Sequence, residues 1–284
     1  MGYTVLNQGL ETPGWNAELS LAFARNNGRT VLSRRRHQGP LQVQRPFYPE
    51  PGGVCHVYLL HPPGGTVGGD RLSIDVGVGE GAHALLTTPA AGKFYRSERW
   101  SARLEQHFQV APGAALEWLP QETIAFDGAH GAMVTRVDLA PDSRFMGWEI
   151  LCLGRPAAGE KYTRGVLAQR FELWREGRPL WLERACHEGG GPALTADWGM
   201  RRCCVTGSFV CVAEQPGLLD PLRDALEGWA GSDLFSATQL DGVLVCRYLG
   251  DSAERARNCF TRAWSVLRPA VLQRDACAPR IWRT

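Results

Sequence analysis

The run His61–Leu72, HPPGGTVGGDRL, gathers one histidine, four glycines, two prolines and a carboxylate. Three chemistries could use residues of these types. A phosphate cradle needs backbone N–H groups converging at a helix N-terminus. Here the glycines lead into an alternating strand instead. Lys93 precedes Phe94 rather than Ser or Thr, and no G-x-G-x-x-G lies between a strand and a helix, which argues against nucleotide binding by this chain. Acyl transfer needs an activated nucleophile. HPPGG has the look of an oxyanion loop, but G-x-S-x-G is missing. Cys55 and His56 are strand neighbours, so their side chains face opposite ways.

Metal ligation is the third chemistry. The seven histidines are His37, His56, His61, His83, His107, His130 and His187, with no H-x-x-x-H or C-x-x-C spacing. The run Cys186-His187-Glu188 holds its groups side by side in the chain, where they rarely converge. No fixed tetrahedral site is expected, whereas a weak, transient divalent site from scattered carboxylates and imidazoles stays open. Four acids stand in apolar surroundings: Asp70, Glu122 in WLPQETIAF, Glu149 in FMGWEILCLG and Glu183 in LWLERA. Each alone reads first as a solvent-facing strand residue. If they face inward together, they need arginine partners, water or a cation, because an unpaired buried carboxylate is costly. The opening glycines permit positive φ and the prolines forbid a helix, so that run reads as a rigid corner that launches a strand and aims Asp70.

The elements that must position these groups are mostly strands. Leu72, Ile74, Val76 and Val78 share one face of RLSIDVGV, and a tight turn leads to HALLTT. The plan recurs as LEQHFQV–APGA–ALEWLP and MVTRVDL–APDS–RFMGWEILCLG. Aligning Val78, Val110 and Leu139, spaced by 32 and 29 residues, superposes Leu72/Ile74/Val76, Leu104/Gln106/Phe108 and Met133/Thr135/Val137. Each unit reads as a hairpin-scale module that must stack on its neighbours to bury its apolar face, with a plain antiparallel sandwich as the alternative. QRFELWREGRPLWLERA is a fourth hairpin turning at EGRP. After this β body, about 15–212, a helix–strand–helix segment is expected over about 214–269. Leu219, Leu222, Leu226 and Trp229 line the first helix, started by Asp220-Pro221. Ala256, Phe260, Ala263 and Leu267 line the second, capped by Asp251 with Glu254 behind it and ended near Pro269. No Gly/Ser linker intervenes, so one continuous unit over 1–284 is expected. The fold class is mainly β, β-helix-like, with stacked antiparallel and mixed strands and two helices in the C-terminal third.

Composition narrows the class. Of the 284 residues, 44% are apolar and 21% charged, with a net charge of +2, which excludes a strong global field for nucleic acid or membrane. No apolar run reaches the length of about 18 residues that a spanning helix needs. The first residues lack a secretory or myristoylation signal, giving a cytoplasmic expectation. The nine cysteines read chiefly as buried, reduced thiols.

VQRPFYPE, CHVYLLHPPGGTVGGDRL, LLTTPAAGKFYRS, EWLPQETIAFDGA, WEILCLGRPAAGE and the ending PRIWRT resemble the urease accessory protein family UreD, also called UreH. The resemblance runs in order from about residue 15 to the end, leaving the first dozen residues and 187–240 unmatched. It implies a non-catalytic scaffold that binds UreF and, through it, the GTPase UreG, and docks on apo-urease. GTP hydrolysis by UreG is coupled in that family to delivery of nickel to a carbamylated lysine. It also implies a coiled β stack with two helices and a water-filled tunnel for the metal. Asp70, Glu149 and Glu183 fall where family acids line or border that path, and Glu122 joins them as an acid in an apolar stretch. The family can carry Asp where Glu149 stands, and often an acid where Arg71 stands. No tightly bound cofactor is implied; nickel would be transient, and GTP would enter only through UreG. Trp282 and Arg280 are the candidates for a UreF contact, since these types favour interface hot spots. The competing readings are an adaptor with no metal path, a hydrolase using HPPGG, and a stand-alone nickel store.

Overall fold

The computed structural model describes residues 14–283; the N-terminal stretch read above for signals lies outside them, apart from its last residues. The strands are β1 (Asn16–Asn26), β2 (Arg29–Gln38), β3 (Gln42–Val43), β4 (Cys55–Leu60), β5 (Arg71–Val78), β6 (His83–Thr87), β7 (Gly92–Phe94), β8 (Ala102–Val110) and β9 (Ala115–Trp118). They continue as β10 (Thr123–Ala125), β11 (His130–Leu139), β12 (Arg144–Arg155), β13 (Glu160–Lys161), β14 (Val166–Arg175) and β15 (Arg178–Glu188). A short helix α1 (Pro192–Thr195) precedes β16 (Val205–Val212), α2 (Leu219–Leu226), β17 (Leu234–Leu240), β18 (Val243–Gly250) and the long helix α3 (Ala253–Leu272).

The strands build two sheets. One is seven-stranded in the order β15-β14-β11-β8-β5-β1-β2, and the other runs β17-β18-β16-β12-β9-β6-β4-β3 with β7, β10 and β13 attached. Consecutive strands of each repeat go to opposite sheets, and equivalent strands stack in parallel: β5 on β8 on β11 on β14, and β6 on β9 on β12. The units are therefore arches, not hairpins. A strand–turn–strand pattern fits both forms; here each short connection turns the chain across the core, so β5 and β6 face each other through side chains. Stacking gives the fold its solenoid character. The alignment register is the ladder register: Val78 pairs with Val110, and Val110 with Leu139. The unit β14–β15 is a true hairpin, antiparallel and turning at Glu176-Gly177, as are β1–β2 and β17–β18.

Alternation explains the core. Leu72, Ile74, Val76 and Val78 are buried while Arg71 and Asp75 are exposed. Between the sheets they meet Val57, Ala84, Leu86, Leu116 and Trp118 in one apolar cluster. A second cluster lies on the far side of the other sheet, where α2 and α3 cover Trp148, Phe209 and Tyr248.

Several boundaries differ from the sequence expectation. Ser252, not Asp251, caps α3, its hydroxyl accepting from the Arg255 N–H; Asp251 instead accepts from the Cys204 N–H. Pro269 lies inside α3, which runs on to Leu272 because Val271 and Leu272 are buried in the second cluster. Asp220 sits in the first turn of α2 rather than at its cap, and Trp229 lies beyond the helix, 47% exposed. Five of the nine cysteines are buried. Among the described residues no helix is long and apolar enough to cross a membrane.

Candidate functional site

A cavity of about 380 Å³ opens between the sheets. Leu72, Ile74, Leu104 and Met133 wall it from one sheet, Leu59, Trp118 and Ile150 from the other. The 61–66 and 88–93 segments close one end, bringing His61, Pro62, Thr66 and Lys93 to its lining. The polar groups facing it include His61, Lys93, Gln106, Gln121 and Glu149. Three threonines line it but no serine or cysteine does. Each threonine hydroxyl is engaged elsewhere: Thr66 with the Lys93 carbonyl, Thr88 with the Gln121 N–H and Thr123 with Met133 sulfur. The HPPGG histidine thus faces an apolar cavity whose lining includes no serine or cysteine.

Glu149 points into this interior, 4% exposed. The alternative of a solvent-facing strand residue is overturned: β12 is buried on both faces, one under β14 and the other under α3, so alternation sends neither Trp148 nor Glu149 to water. Among the described residues no cation pairs with the carboxylate. Gln169 Nε2 donates to it at 2.6 Å, and Thr135 Oγ1 lies 2.5 Å from its other oxygen. The same Thr135 oxygen is 2.8 Å from Gln106 Oε1, so two acceptors face one hydroxyl proton. A protonated Glu149 donating to Thr135, which donates on to Gln106, resolves the conflict, as does a Gln106 amide turned to present its N–H. Burial pushes the Glu149 carboxyl up to about 7; the Thr135 and Gln169 bonds oppose this and the charge of Glu183 adds to it.

The polar run continues toward the surface. Glu149 pairs across the ladder with Ser208, and Ser208 with Arg247. Glu183, from the opposite sheet, accepts from the Ser208 hydroxyl at 3.0 Å and pairs with Arg247 at 3.2 Å. Glu183 is 21% exposed at its side chain and Arg247 54%. Hydrogen bonds thus join Gln106, Thr135, Glu149 and Gln169 at the cavity, and separately Ser208, Glu183 and Arg247 nearer the surface, with the ladder pair Glu149–Ser208 setting the two groups side by side.

The other candidates stand apart from it. Asp70 is buried and its carboxylate accepts the Trp15 N–H at 2.8 Å and the Val67 N–H at 2.9 Å, locking the corner the glycines allow. Its charge reaches His61, whose pKa burial lowers and Asp70 partly restores. Glu122 ion-pairs with Arg257 of α3 at 3.0 Å; its neighbour Gln121 is the residue that lines the cavity. Trp282 packs against Trp148 and Trp264 and donates to Thr87 at 3.0 Å, while Arg280 is exposed. Cys186, His187 and Glu188 alternate in exposure along β15, and among the described residues no three His, Cys, Asp or Glu side chains converge to hold a metal.

Sequence reasoning missed Gln106 and Thr135 as functional groups, although the repeat alignment showed them as polar members of an apolar row. It also missed a buried charge cluster. Arg268 of α3 binds Glu117 through Nε at 3.0 Å and Glu50 through Nη2 at 2.7 Å. His83 lies 2.7 Å from Glu117 and His56 2.7 Å from Glu50. Trp264 donates its indole N–H to Glu117 as well. Burial alone would raise the Glu117 carboxyl, but His83 and Arg268 outweigh it and hold the group at about 2. This cluster fastens α3 to the β body.

Fold and site together define a stacked-β protein that holds separated polar groups between its sheets rather than ligands converging on one point. The chain belongs to the UreD urease accessory protein family, whose model matches residues 16–283. Urease accessory protein UreD of Azoarcus sp. (strain BH72) is 51% identical over 274 residues, covering 96% of this chain and 95% of its own length. The protein of the same name from Dechloromonas aromatica (strain RCB) is 48% identical over 284 residues, covering 98% of each. Urease accessory protein UreD 2 of Brucella anthropi is 47% identical over 272 residues, covering 95% of this chain and 99% of its own. The role of the chain is that of a urease accessory protein.

Proposed function

We propose that this chain is a cytoplasmic, non-catalytic scaffold that docks UreF and UreG onto apo-urease, and that nickel passes through its interior along the run from the cavity past Glu149 to Glu183. The observation that supports the passage is the state of Glu149: a carboxylate walled in between two sheets, held only by neutral donors and by no cation. A structural acid is normally paired or exposed, because burying it otherwise costs several kcal/mol. An acid that trades its proton for a passing divalent ion has a reason to be left unpaired. Single ligands spaced along a route suit transport, since a complete cage would retain the ion. Nickel is cargo in this reading, GTP acts only through UreG, and Asp70 and Glu122 shape the route's walls. Trp282 and Arg280 lie in the C-terminal segment proposed to approach UreF.

Co-expression with UreF, UreG and apo-urease, followed by size-exclusion chromatography and metal analysis of each peak, tests the docking. A co-eluting complex that depends on this chain is expected. Free elution of this chain beside a nickel-loaded urease would overturn it. Truncation at residue 279 should weaken UreF capture if the C-terminal segment takes part.

A further inference from the structure

The three edge strands with regular pairing differ in charge. β17 carries none. β15 is balanced, with Arg178 and Arg184 against Glu183 and Glu188. β2 is cationic throughout: Arg29, Arg34, Arg35 and Arg36, with His37 and no acid. Residues Arg34 to Gln38 are all exposed. Elsewhere on the same sheet several arginines are neutralised, Arg103 by Glu105, Arg136 by Asp138, and Arg170 and Arg184 by Glu172, while those that have no ion pair, such as Arg71, do not stand in a run of consecutive arginines. Among the described residues no ion pair involves Arg34, Arg35 or Arg36.

The backbone tells the same story. At its N-terminal end the outer side of β2 is covered, Thr30 N–H bonding to the Gly53 carbonyl. From Ser33 to Gln38, no backbone bond among the described residues reaches the outer side; all pairing goes inward to β1. A charged edge commonly serves to discourage strand pairing. Charges of mixed sign suffice for that, as β15 shows with its two arginines and two glutamates. Three consecutive arginines without counter-ions leave a repulsion that an acidic partner would relieve. The alternation of β2 also puts this charge on both faces: Arg34 and Arg36 pair with Ala22 and Ser20 on the outer face, Arg35 and His37 with Leu21 and Leu19 on the core side. On the outer face a groove of about 510 Å³ runs beside them, with Glu18 its one acid.

We propose that the Ser33–Gln38 edge of β2 takes an extended acidic segment of a partner protein as an added strand. Backbone bonds would supply the register, and acids on alternate faces would meet Arg34/Arg36 and Arg35/His37. This docking is independent of the interior route and of how nickel travels. Nucleic acid offers negative charge without strand backbone, so it satisfies only half of what the edge presents.

Fluorescence anisotropy with the full chain and a labelled peptide of about ten residues, rich in Glu, Asp and Val, tests the proposal. Binding at low salt is expected, weakened about tenfold or more in Arg34→Glu/Arg36→Glu. It should weaken comparably when alternate peptide amides are N-methylated, which removes strand bonding but keeps the charge. Circular dichroism of the double variant should match the wild type, because both side chains are exposed and no hydrogen bond or ion pair among the described residues involves them. Equal affinity for the N-methylated peptide, tighter binding of a single-stranded oligonucleotide, or no binding of the acidic peptide would each overturn the proposal.

Discussion

Gln169 on β14 reaches across the interior and donates to Glu149 on β12 at 2.6 Å; together with Thr135 of β11 it joins the two sheets at a buried carboxylate that has no ion-pair partner among the described residues. The bond fixes where the carboxylate points. It leaves the charge uncompensated, and that has a measurable consequence for stability.

Glu149 has its folded pKa raised to about 7, above the range of an unfolded glutamate. The unfolded chain therefore releases this proton first, and the native state loses relative stability as pH rises from about 4.5 to about 7. Glu149→Gln removes the penalty. Urea titration at pH 8 should show the variant more stable by up to about 3 kcal/mol, with little difference at pH 4.5. A variant less stable than wild type at pH 8 would mean the carboxylate is charged and well paired.

Glu117 has the opposite sign. Its folded pKa is held at about 2, so its contribution is present above about pH 4.5 and is lost as pH falls toward 2. Glu117→Gln should cost about 3 kcal/mol at neutral pH, and the gap to wild type should narrow in acid. Arg268→Met should be at least as damaging, since it leaves Glu50 and Glu117 buried without their shared cation. Chemical denaturation at stepped pH measures both.

Asp70 separates structure from transport. Asp70→Ala strands two backbone donors, those of Trp15 and Val67, and should lower stability by about 1–3 kcal/mol. Asp70→Asn keeps an acceptor and should recover much of that. If urease activation follows stability across the pair, Asp70 acts by holding its corner. If Asn fails while staying folded, the negative charge itself is needed.

Trp282 packs on two tryptophans, so Trp282→Ala should destabilise by about 2 kcal/mol and release the C-terminal turn. Trp282→Phe keeps an aromatic ring there while losing the bond to Thr87 and part of the indole's packing. Thermal unfolding of the two against wild type shows whether packing or the indole N–H dominates; UreF capture by the Phe variant then reports on docking free of unfolding.

The repeat was readable because alternation pins register: a slip of one residue would turn Leu72, Ile74 and Val76 outward, so aligned apolar rows had to be ladder partners. What could not be read was the partner sheet. An arch and a hairpin share the same strand–turn–strand string, and only long-range pairing distinguishes them. Glu149 was legible as an acid in apolar company, but its inward direction depended on both faces of β12 being covered, and one cover, α3, begins about a hundred residues later in the chain. The Glu117–Arg268 pair was illegible for the same reason, its members standing 151 positions apart. Pro269 misled because a local stop signal lost to the burial of Val271 and Leu272.

The most direct measurement is the nickel content and activity of urease matured with Glu149→Ala, in parallel with recovery of the intact accessory complex. An interior route through Glu149 requires that the complex form normally while urease stays largely metal-free, with Glu149→Asp restoring activation. Full nickel loading by the alanine variant in an intact complex would contradict it.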